Sequence, residues 1–321
     1  MLKNTPAMYK KAYPFLKEVD SLALANVQLH LEKAYKNFFR DPKVGFPRFK
    51  SKHHSKNSYT TNVVNGNILV EDNRIRLPKL KWISMKKHRE PAENCRLKSV
   101  TVSMEPSGKY FASLLYEGYS CENQAADKDY SSAKILGIDY AMQGMAVFSE
   151  EIEMEEAGFF RKNEKRLARE QRKLSRCVKG SRNYVRQKKK VARCHEKIRS
   201  QRRDYLHKLS RRITDQYDIV AVEDIDMKAM SQCLHFGKSI QDNGYGMFRN
   251  MLDYKLAWKG KELVKADRFF PSSKKCSKCG KIKKELKLSE RVYRCTCGNE
   301  MDRDRNAAIN IREEARRMLA A

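Results

Sequence analysis

Apolar residues recur at every third or fourth position between residues 15 and 39, in the segment FLKEVDSLALANVQLHLEKAYKNFF. This spacing predicts an amphipathic helix. From Tyr59 to Gly118 the period falls to two, and the stretches ILVEDNRIRL and SVTVSMEPSGKYFASLLY each place a turn sequence between alternating runs. They predict two β-hairpins in a small antiparallel unit, residues 59–120. The polar residues 121–133 have little to bury and are expected to form a linker.

Short apolar runs return in the second half of the chain. The runs KILGIDY, YDIVAVEDI and ELVKADRFF each predict a buried strand, and GMAVFSEEIEMEEAGFF predicts two more. The first of these strands ends at Asp139 and the second at Glu223. Carboxylates at the ends of parallel strands lie where α/β sheets usually form their functional sites.

A strongly basic segment separates the first two of these strands. Residues 161–212 contain 22 Lys and Arg against 4 Asp and Glu, with sparse apolar residues at helical spacing. They predict two long helices joined near the KGSRN turn. A solvated charged surface is the simpler explanation, but like charges one turn apart repel each other. A helical pair of one sign is better explained by phosphates bound along it.

The overall charge agrees with a polyanionic partner. The 321 residues include 68 Lys and Arg against 39 Asp and Glu, which gives a formal net charge of +29. Hydrophobic residues make up 40% of the chain, so we expect a folded protein rather than a disordered basic tail. Neither a secretory signal nor an apolar run long enough for a membrane span is present in the sequence. We therefore expect a cytoplasmic protein that binds nucleic acid and no membrane.

Four of the nine cysteines lie close together near the end of the chain. KKCSKCG and YRCTCGN supply Cys276, Cys279, Cys295 and Cys297, two close pairs that match a tetrahedral zinc ribbon in a reducing compartment. The second pair is C-x-C, a tighter spacing than the usual C-x-x-C. Four thiolates leave no open coordination position, so the zinc is expected to be structural. The alternative is a set of free buried thiols.

Three carboxylates could converge on one edge of the predicted sheet. Asp139 and Glu223 end strands, and either Asp302 or Asp304 could join them from the start of the helix NAAINIREEARRML. Oxygen ligands of this kind suit Mg²⁺, and two such ions can hold the attacking and leaving oxygens of a phosphodiester. The alternative for each acid alone is a helix cap or an exposed strand end. Spacing does not decide between Asp302 and Asp304.

Four motifs carry a resemblance to a known family. LGIDYAMQGMAVFS, IVAVEDIDMKAM, VKADRFFPSSKKCSKCG and CGNEMDRDRNAAINI, in this order, resemble the TnpB (OrfB) family of transposon-encoded RNA-guided nucleases. The resemblance implies an α/β RuvC (RNase H-like) core over residues 134–321, into which the basic hairpin 161–212 and a zinc ribbon, 271–299, are inserted. It also implies a β-rich wedge domain at 59–120 and a partial helical recognition segment at 1–58.

The same resemblance implies the chemistry. It implies a catalytic triad that binds magnesium, formed by Asp139, Glu223 and Asp304. It also implies that the partners are a guide RNA and a target DNA. Family members usually begin some tens of residues earlier, so this chain is expected to be shortened at its N-terminus. The alternative functions are an RNA- and DNA-binding member that does not cleave, and a transposase that joins DNA without RNA.

Overall fold

The computed structural model describes residues 5–49, 51, 57–118, 130, 132–141, 145–153, 158–225, 244–287 and 289–320. The chain forms two compact units, Met1–Glu122 and Asn123–Ala321. The linker predicted at 121–133 falls largely outside the described residues. Each unit is described by itself.

Helical segments begin the first unit. They are α1 (Pro6–Tyr9), α2 (Ser21–Arg40) and 3₁₀ turns at Pro14–Lys17 and Pro42–Val44. The helix predicted from residue 15 therefore starts later, because Asp20 accepts the backbone N–H of Leu22 at 3.1 Å and caps α2. Asn26 of α2 is buried and donates to the carbonyl of Thr60 at 2.9 Å, which attaches the helix to a strand.

Six strands, counted over the described residues, form two antiparallel sheets in the first unit. The strands are β1 (Ser58–Asn62), β2 (Leu69–Glu71), β3 (Arg74–Leu77), β4 (Leu80–Ser84), β5 (Arg96–Met104) and β6 (Tyr110–Glu117). Their orders are β1-β5-β6 and β2-β3-β4. Both predicted hairpins are confirmed, as β2–β3 and β5–β6. Ile68, Ile75, Leu77 and Val100 form the buried apolar cluster of this unit.

A four-stranded sheet forms the centre of the second unit. Its strands are β7 (Ile135–Ala141), β8 (Met145–Phe148), β9 (Ile219–Glu223) and β10 (Glu262–Ala266). They are ordered β10-β9-β7-β8, and only β8 runs antiparallel to its neighbour. Of the two strands predicted after β7, the first is β8. Residues 149–153 of the second form no strand, since this acidic stretch has little to bury, and residues 154–157 lie outside the described chain.

In the part of the chain that the structure describes, four helices surround this sheet. They are α3 (Phe159–Ser175), α4 (Arg182–Gln216), α5 (Tyr245–Trp258) and α6 (Arg303–Ala320). The two long basic helices are thus confirmed as α3 and α4. Ser181 in the KGSRN turn caps α4, because its Oγ accepts the backbone N–H of Tyr184 at 3.1 Å. None of the described helices is long and apolar enough to cross a membrane.

Helices cover both faces of the sheet, which explains why its strands are apolar at nearly every position. Leu136 and Ile138 of β7 pack in one cluster with α4 and α5, including Ile213. Ile135 of the same strand packs with Ile311 of α6 in a second cluster on the opposite face. Full burial of each large aliphatic side chain contributes about 1.5–3 kcal/mol. The ends of β7 and β9 are therefore fixed between two packed layers.

A small ribbon lies in the chain between β10 and α6. It contains β11 (Val292–Arg294) and β12 (Glu300–Asp302), which pair antiparallel, and an isolated bridge between Lys275 and Ile282. Tyr293 is fully buried inside it and donates its hydroxyl to the carbonyl of Lys274 at 3.0 Å. So few strand residues make a weak core, which is typical of modules stabilised by a metal.

Candidate active site and metal centre

Asp139 and Glu223 lie side by side at the carboxyl end of the sheet. Strands β7 and β9 are parallel, and Ile138 pairs with Val222, so the next residue on each strand comes at the same level. Side chains alternate between the two faces of a sheet. Both carboxylates therefore share the face of the sheet that packs against α6, on the same side as Ile135 and Ala221.

Asp304 reaches this edge from the first turn of α6. Asp302, the last residue of β12, accepts the backbone N–H groups of Asp304 and Arg305 at 2.9 Å each. Asp302 is therefore the N-cap of α6, and its side chain is exposed. Asp304 lies close enough to the sheet edge for its charge to act on Asp139.

The negative charges of Glu223 and Asp304 act on the buried Asp139. Burial raises the pKa of Asp139 to about 8, and the negative charges of Glu223 and Asp304 add to this rise, while Arg303 opposes it. Burial also raises the pKa of Glu223. The structure thus brings together all three acids predicted from the sequence, at a position where a bound cation would relieve their repulsion.

Two arginines compensate part of this negative charge. The Nε and Nη2 atoms of Arg303 each lie 3.2 Å from one carboxylate oxygen of Asp304. Nη1 of Arg291 lies 3.7 Å from the other oxygen. Asp304 keeps 23% of its side chain exposed, so one carboxylate of the group remains accessible from solvent.

Oxygen donors of this kind fit Mg²⁺, which prefers carboxylates and keeps several of its waters. Within the described chain, the three acids do not form a cluster with ligand atoms all within 4.8 Å of one another, as four cysteines do. A hydrated ion tolerates this wider spacing, because water can bridge it to a carboxylate. The donor set and the raised pKa of Asp139 both favour a divalent cation at this edge.

Gly137 allows α6 to approach the sheet at this point. A Cβ atom on Gly137 would lie 2.0 Å from the carbonyl oxygen of Ala308 and 2.8 Å from the backbone nitrogen of Arg312. The helix backbone therefore lies directly on β7, two residues before Asp139. Sequence reasoning did not identify this residue, although a glycine inside a strand often marks such an approach.

The four predicted zinc ligands form a compact thiol cluster. Their sulfur atoms all lie within 4.8 Å of one another, with Cys276 to Cys297 and Cys279 to Cys295 both at 3.7 Å. A tetrahedral zinc site with Zn–S bonds of ~2.3 Å has sulfur–sulfur edges of ~3.8 Å. The shorter C-x-C pair therefore reaches the geometry of a four-thiolate zinc site.

Backbone N–H groups favour the anionic form of Cys276, whereas Cys297, despite a backbone hydrogen bond from Asn299, has its pKa raised to about 11 by burial and the neighbouring thiols. Burial alone would raise the pKa of Cys276, but the N–H groups of Lys278 and Cys279 donate to its sulfur and lower the pKa to about 6. Gly298 has a positive φ of 81° and closes the turn between Cys295 and Asn299. The residues present thus fit a structural zinc ion.

Two asparagines join this cluster to α6. Asn306 donates to the carbonyl of Lys275 at 2.8 Å and accepts the backbone N–H of Ser277 at 3.0 Å. Asn310 donates to the carbonyls of Ser272 and Lys275, both at 2.7 Å. Both asparagines are buried. Sequence reasoning did not identify them, and the only signal was their spacing of four residues on one helix face.

Within the basic helix pair of α3 and α4, the side chains of residues 188–190, a run of three lysines on α4, are exposed to solvent. Leu167, Cys194 and Ile198 form the buried apolar cluster of the pair, and the partly buried Phe159, Phe160 and Val191 pack against it. Gln187 and Glu170, both buried, join the helices by a hydrogen bond of 2.8 Å. The pair therefore presents most of its cations outward, where phosphates could bind.

Comparison with known proteins gives matches along most of the chain. The family OrfB_IS605, described as "Probable transposase", matches residues 118–234. The family "Cas12f1-like, TNB domain" matches residues 245–311. The second match includes the thiol cluster and Asp304.

Two relatives cover almost the whole chain. A Streptomyces pristinaespiralis protein named "Putative RNA-guided DNA endonuclease" is 36% identical over 302 residues, which are 92% of this chain and 72% of the relative. InsQ of Escherichia coli (strain K12), which carries the same description, is 33% identical over 95% of this chain and 77% of its own length.

A solved structure shares the fold. The protein in a cryo-EM structure of a Cas12f1-sgRNA-target DNA complex matches 91% of this chain and 71% of its own length, with a TM-score of 0.57 and 16% sequence identity. The match confirms the overall fold, while the inserted zinc ribbon and the wedge domain stay predictions.

Proposed function

Because this chain belongs to the TnpB (OrfB) family, we propose that it is an RNA-guided DNA endonuclease whose partners are a guide RNA and a target DNA. The names of its relatives support this assignment, as does the net charge of +29. The observation that carries the proposal is the placement of Asp139 and Glu223 at the same level on adjacent parallel strands, with Asp304 close enough for its charge to act on Asp139.

The proposed cleavage centre consists of Asp139, Glu223 and Asp304. Bound to these carboxylates, Mg²⁺ would supply Lewis-acid chemistry at the phosphodiester oxygens and lower the pKa of a bound water. The chain supplies rigid positions for the ligands: two adjacent parallel strands hold Asp139 and Glu223, and the capped first turn of α6 holds Asp304. This fixed geometry reduces the reorganisation needed when substrate and cations bind.

In this proposal the rest of the chain binds the guide RNA and the target DNA. We assign residues 134–321 to a RuvC-like core, 59–120 to a wedge domain and 1–58 to a partial recognition segment. The parallel sheet with one antiparallel edge strand supports the first assignment. The helices α3 and α4 would bind phosphates through their exposed cations, and a structural zinc at Cys276, Cys279, Cys295 and Cys297 would hold the ribbon against α6.

Replacement of Asp139 tests the proposed chemistry. The full chain, purified with its co-expressed RNA, should cut a DNA that matches the sequenced RNA when Mg²⁺ is present. Asp139→Asn should lose at least about a hundred-fold in rate, because it removes one charged ligand of the catalytic ions. Its RNA affinity should stay unchanged. Asp253→Asn, an exposed acid on α5, is the matched control and should cut normally.

The same assay separates the alternatives. Normal cutting by Asp139→Asn would remove Asp139 from the cleavage centre. A wild-type complex that binds matching DNA tightly without cutting it would identify a binding protein instead. Strand-transfer products formed without RNA would identify a transposase.

A further inference from the structure

The thiol cluster and the first turn of α6 are built into one hydrogen-bonded unit. Lys275 and Ser277 flank the zinc ligand Cys276, and both bond through their backbone to the side-chain amide of Asn306. Asn306 is 0% exposed and lies two residues after Asp304. One helical turn later, Asn310 bonds to the same carbonyl of Lys275. We call Asn306 and Asn310 the asparagine latch.

The other half of the ribbon holds the same helical turn. Asp302, at the end of β12, caps α6 at Asp304 and Arg305. The carbonyl of Arg291, just before β11, accepts the backbone N–H of Arg303 at 2.8 Å. Both halves of the ribbon, each carrying two of the four thiols, therefore contact the turn that contains Asp304.

This arrangement gives metal binding at the thiols a way to act on the carboxylates. Strands of three residues cannot hold the ribbon without further support, and zinc binding provides the free energy that folds such modules. If the ribbon unfolds, α6 loses its cap and its latch together, and its first turn frays. Asp304 then leaves its place opposite Asp139 and Glu223.

We propose that Asn306 and Asn310 are positioning residues that couple the two metal centres, so that zinc at the four cysteines and a divalent cation at the three carboxylates bind cooperatively. The proposal rests on the proposed function, since it takes the carboxylates as a cation site. Coupling of this kind is reciprocal: if zinc holds Asp304 in place, then a cation at Asp304 must also retain zinc.

Reciprocity supplies a test that does not depend on cleavage. Zinc release from the RNA-free full chain is followed with a zinc-selective chromophoric chelator, with and without saturating Mg²⁺. In the wild type, Mg²⁺ should slow the release several-fold. Asn306→Ala should release zinc about ten-fold faster, as the loss of a group that orients metal ligands usually does. Its release should also no longer respond to Mg²⁺.

Three further variants sharpen the result. Asn310→Ala should show the same changes to a smaller degree, because it leaves both bonds of Asn306 in place. Asp139→Asn should remove the Mg²⁺ effect. Glu313→Ala, which only breaks pairs with Arg312 and Arg316 on the surface of α6, should behave like the wild type. Circular dichroism of each variant confirms that the chain is folded.

The outcomes separate this proposal from the proposed function. If Asn306→Ala and Asn310→Ala release zinc faster but keep the Mg²⁺ effect, the latch stabilises the ribbon alone and the coupling is wrong. If Mg²⁺ does not slow zinc release in a wild type that cleaves DNA, the coupling fails and the endonuclease stands. If that effect is absent and the wild type does not cleave, both proposals fail.

Discussion

At the scale of single residues, Asp139 is placed where burial and neighbouring charge both oppose its ionisation. It lies beside Glu223 on the adjacent strand, and Asp304 adds a third negative charge. Interactions that are this unfavourable without a cation are typical of sites that bind one. The fold therefore destabilises the ionised form of Asp139, and a bound cation would stabilise that form.

The raised pKa of Asp139 predicts how the free energy of unfolding depends on pH. The pKa of Asp139 rises from 3.8 to about 8 in the folded chain, so folding favours the protonated acid. Without divalent cations, the free energy of unfolding should therefore fall as the pH rises from 3.8 towards 8, by at most about 1.4 kcal/mol per pH unit from this group.

Urea unfolding in Mg²⁺-free buffer measures this dependence at pH 5 and pH 8. The wild type should lose more stability over this interval than Asp139→Asn, which cannot ionise. Equal losses in the two proteins would mean that the pKa of Asp139 is not raised. Added Mg²⁺ should reduce the wild-type loss at pH 8, because it binds the ionised form.

Gly137 predicts a second effect at this scale. Gly137→Ala places a Cβ atom 2.0 Å from the carbonyl of Ala308, so α6 must move away from β7. We expect the free energy of unfolding to fall by at least about 3 kcal/mol, at the upper end for overpacked sites. Gly246→Ala is the control, since nothing lies within 4 Å of its added Cβ, and in helix α5 it should be neutral or stabilising. Equal stability of the two variants would contradict the contact between α6 and β7.

Residue types indicated only part of the site. Asp139 and Glu223 are candidates from the sequence because each ends an apolar strand, and the cysteines are candidates because of their spacing. Spacing could not separate Asp302 from Asp304, which differ only in what the helix cap requires. Gly137, Asn306 and Asn310 could not be found, because their roles depend on backbone groups far away in the sequence.

At the scale of elements, hydrophobic periodicity predicted most of the helices and strands described. The helices α3 and α4, both hairpins of the first unit and strands β7, β9 and β10 are confirmed. The predicted start of α2 was six residues too early, because hydrophobic periodicity does not detect the helix cap that Asp20 provides. Helix α5 was not predicted, although five of its residues are buried.

The basic pair α3 and α4 predicts how RNA binding responds to salt. Log affinity falls with log salt, and each lost phosphate contact makes this negative slope shallower by about 0.7–0.9. Replacing Lys188, Lys189 and Lys190 by alanine should therefore make the slope shallower by about 2. Filter binding at several salt concentrations measures this change.

Arginine at the same three positions keeps the charge and serves as the control. Its slope should match that of the wild type, because counterion release depends on charge and not on the shape of the side chain. If the alanine variant also keeps the wild-type slope, these exposed lysines contact solvent and not RNA.

At the scale of the whole molecule, the chain combines a small β-rich unit with a three-layered α/β unit that carries both candidate metal centres. Along the sequence, a period of two gives way to buried strands and long basic helices, which is why the chain is predicted to divide between residues 120 and 134. The family matches cover residues 118–234 and 245–311.

In the proposed function, Asp304 completes a cation-dependent cleavage centre, and Asp302 caps the helix that carries it. The most direct measurement is Mg²⁺-dependent cleavage of guide-matched DNA by the RNA-bound chain carrying either Asp304→Asn or Asp302→Asn. Both changes remove one charge, but asparagine still caps a helix. Asp304→Asn should abolish cleavage, whereas Asp302→Asn should keep most of it. Cleavage that survives in Asp304→Asn would contradict the account.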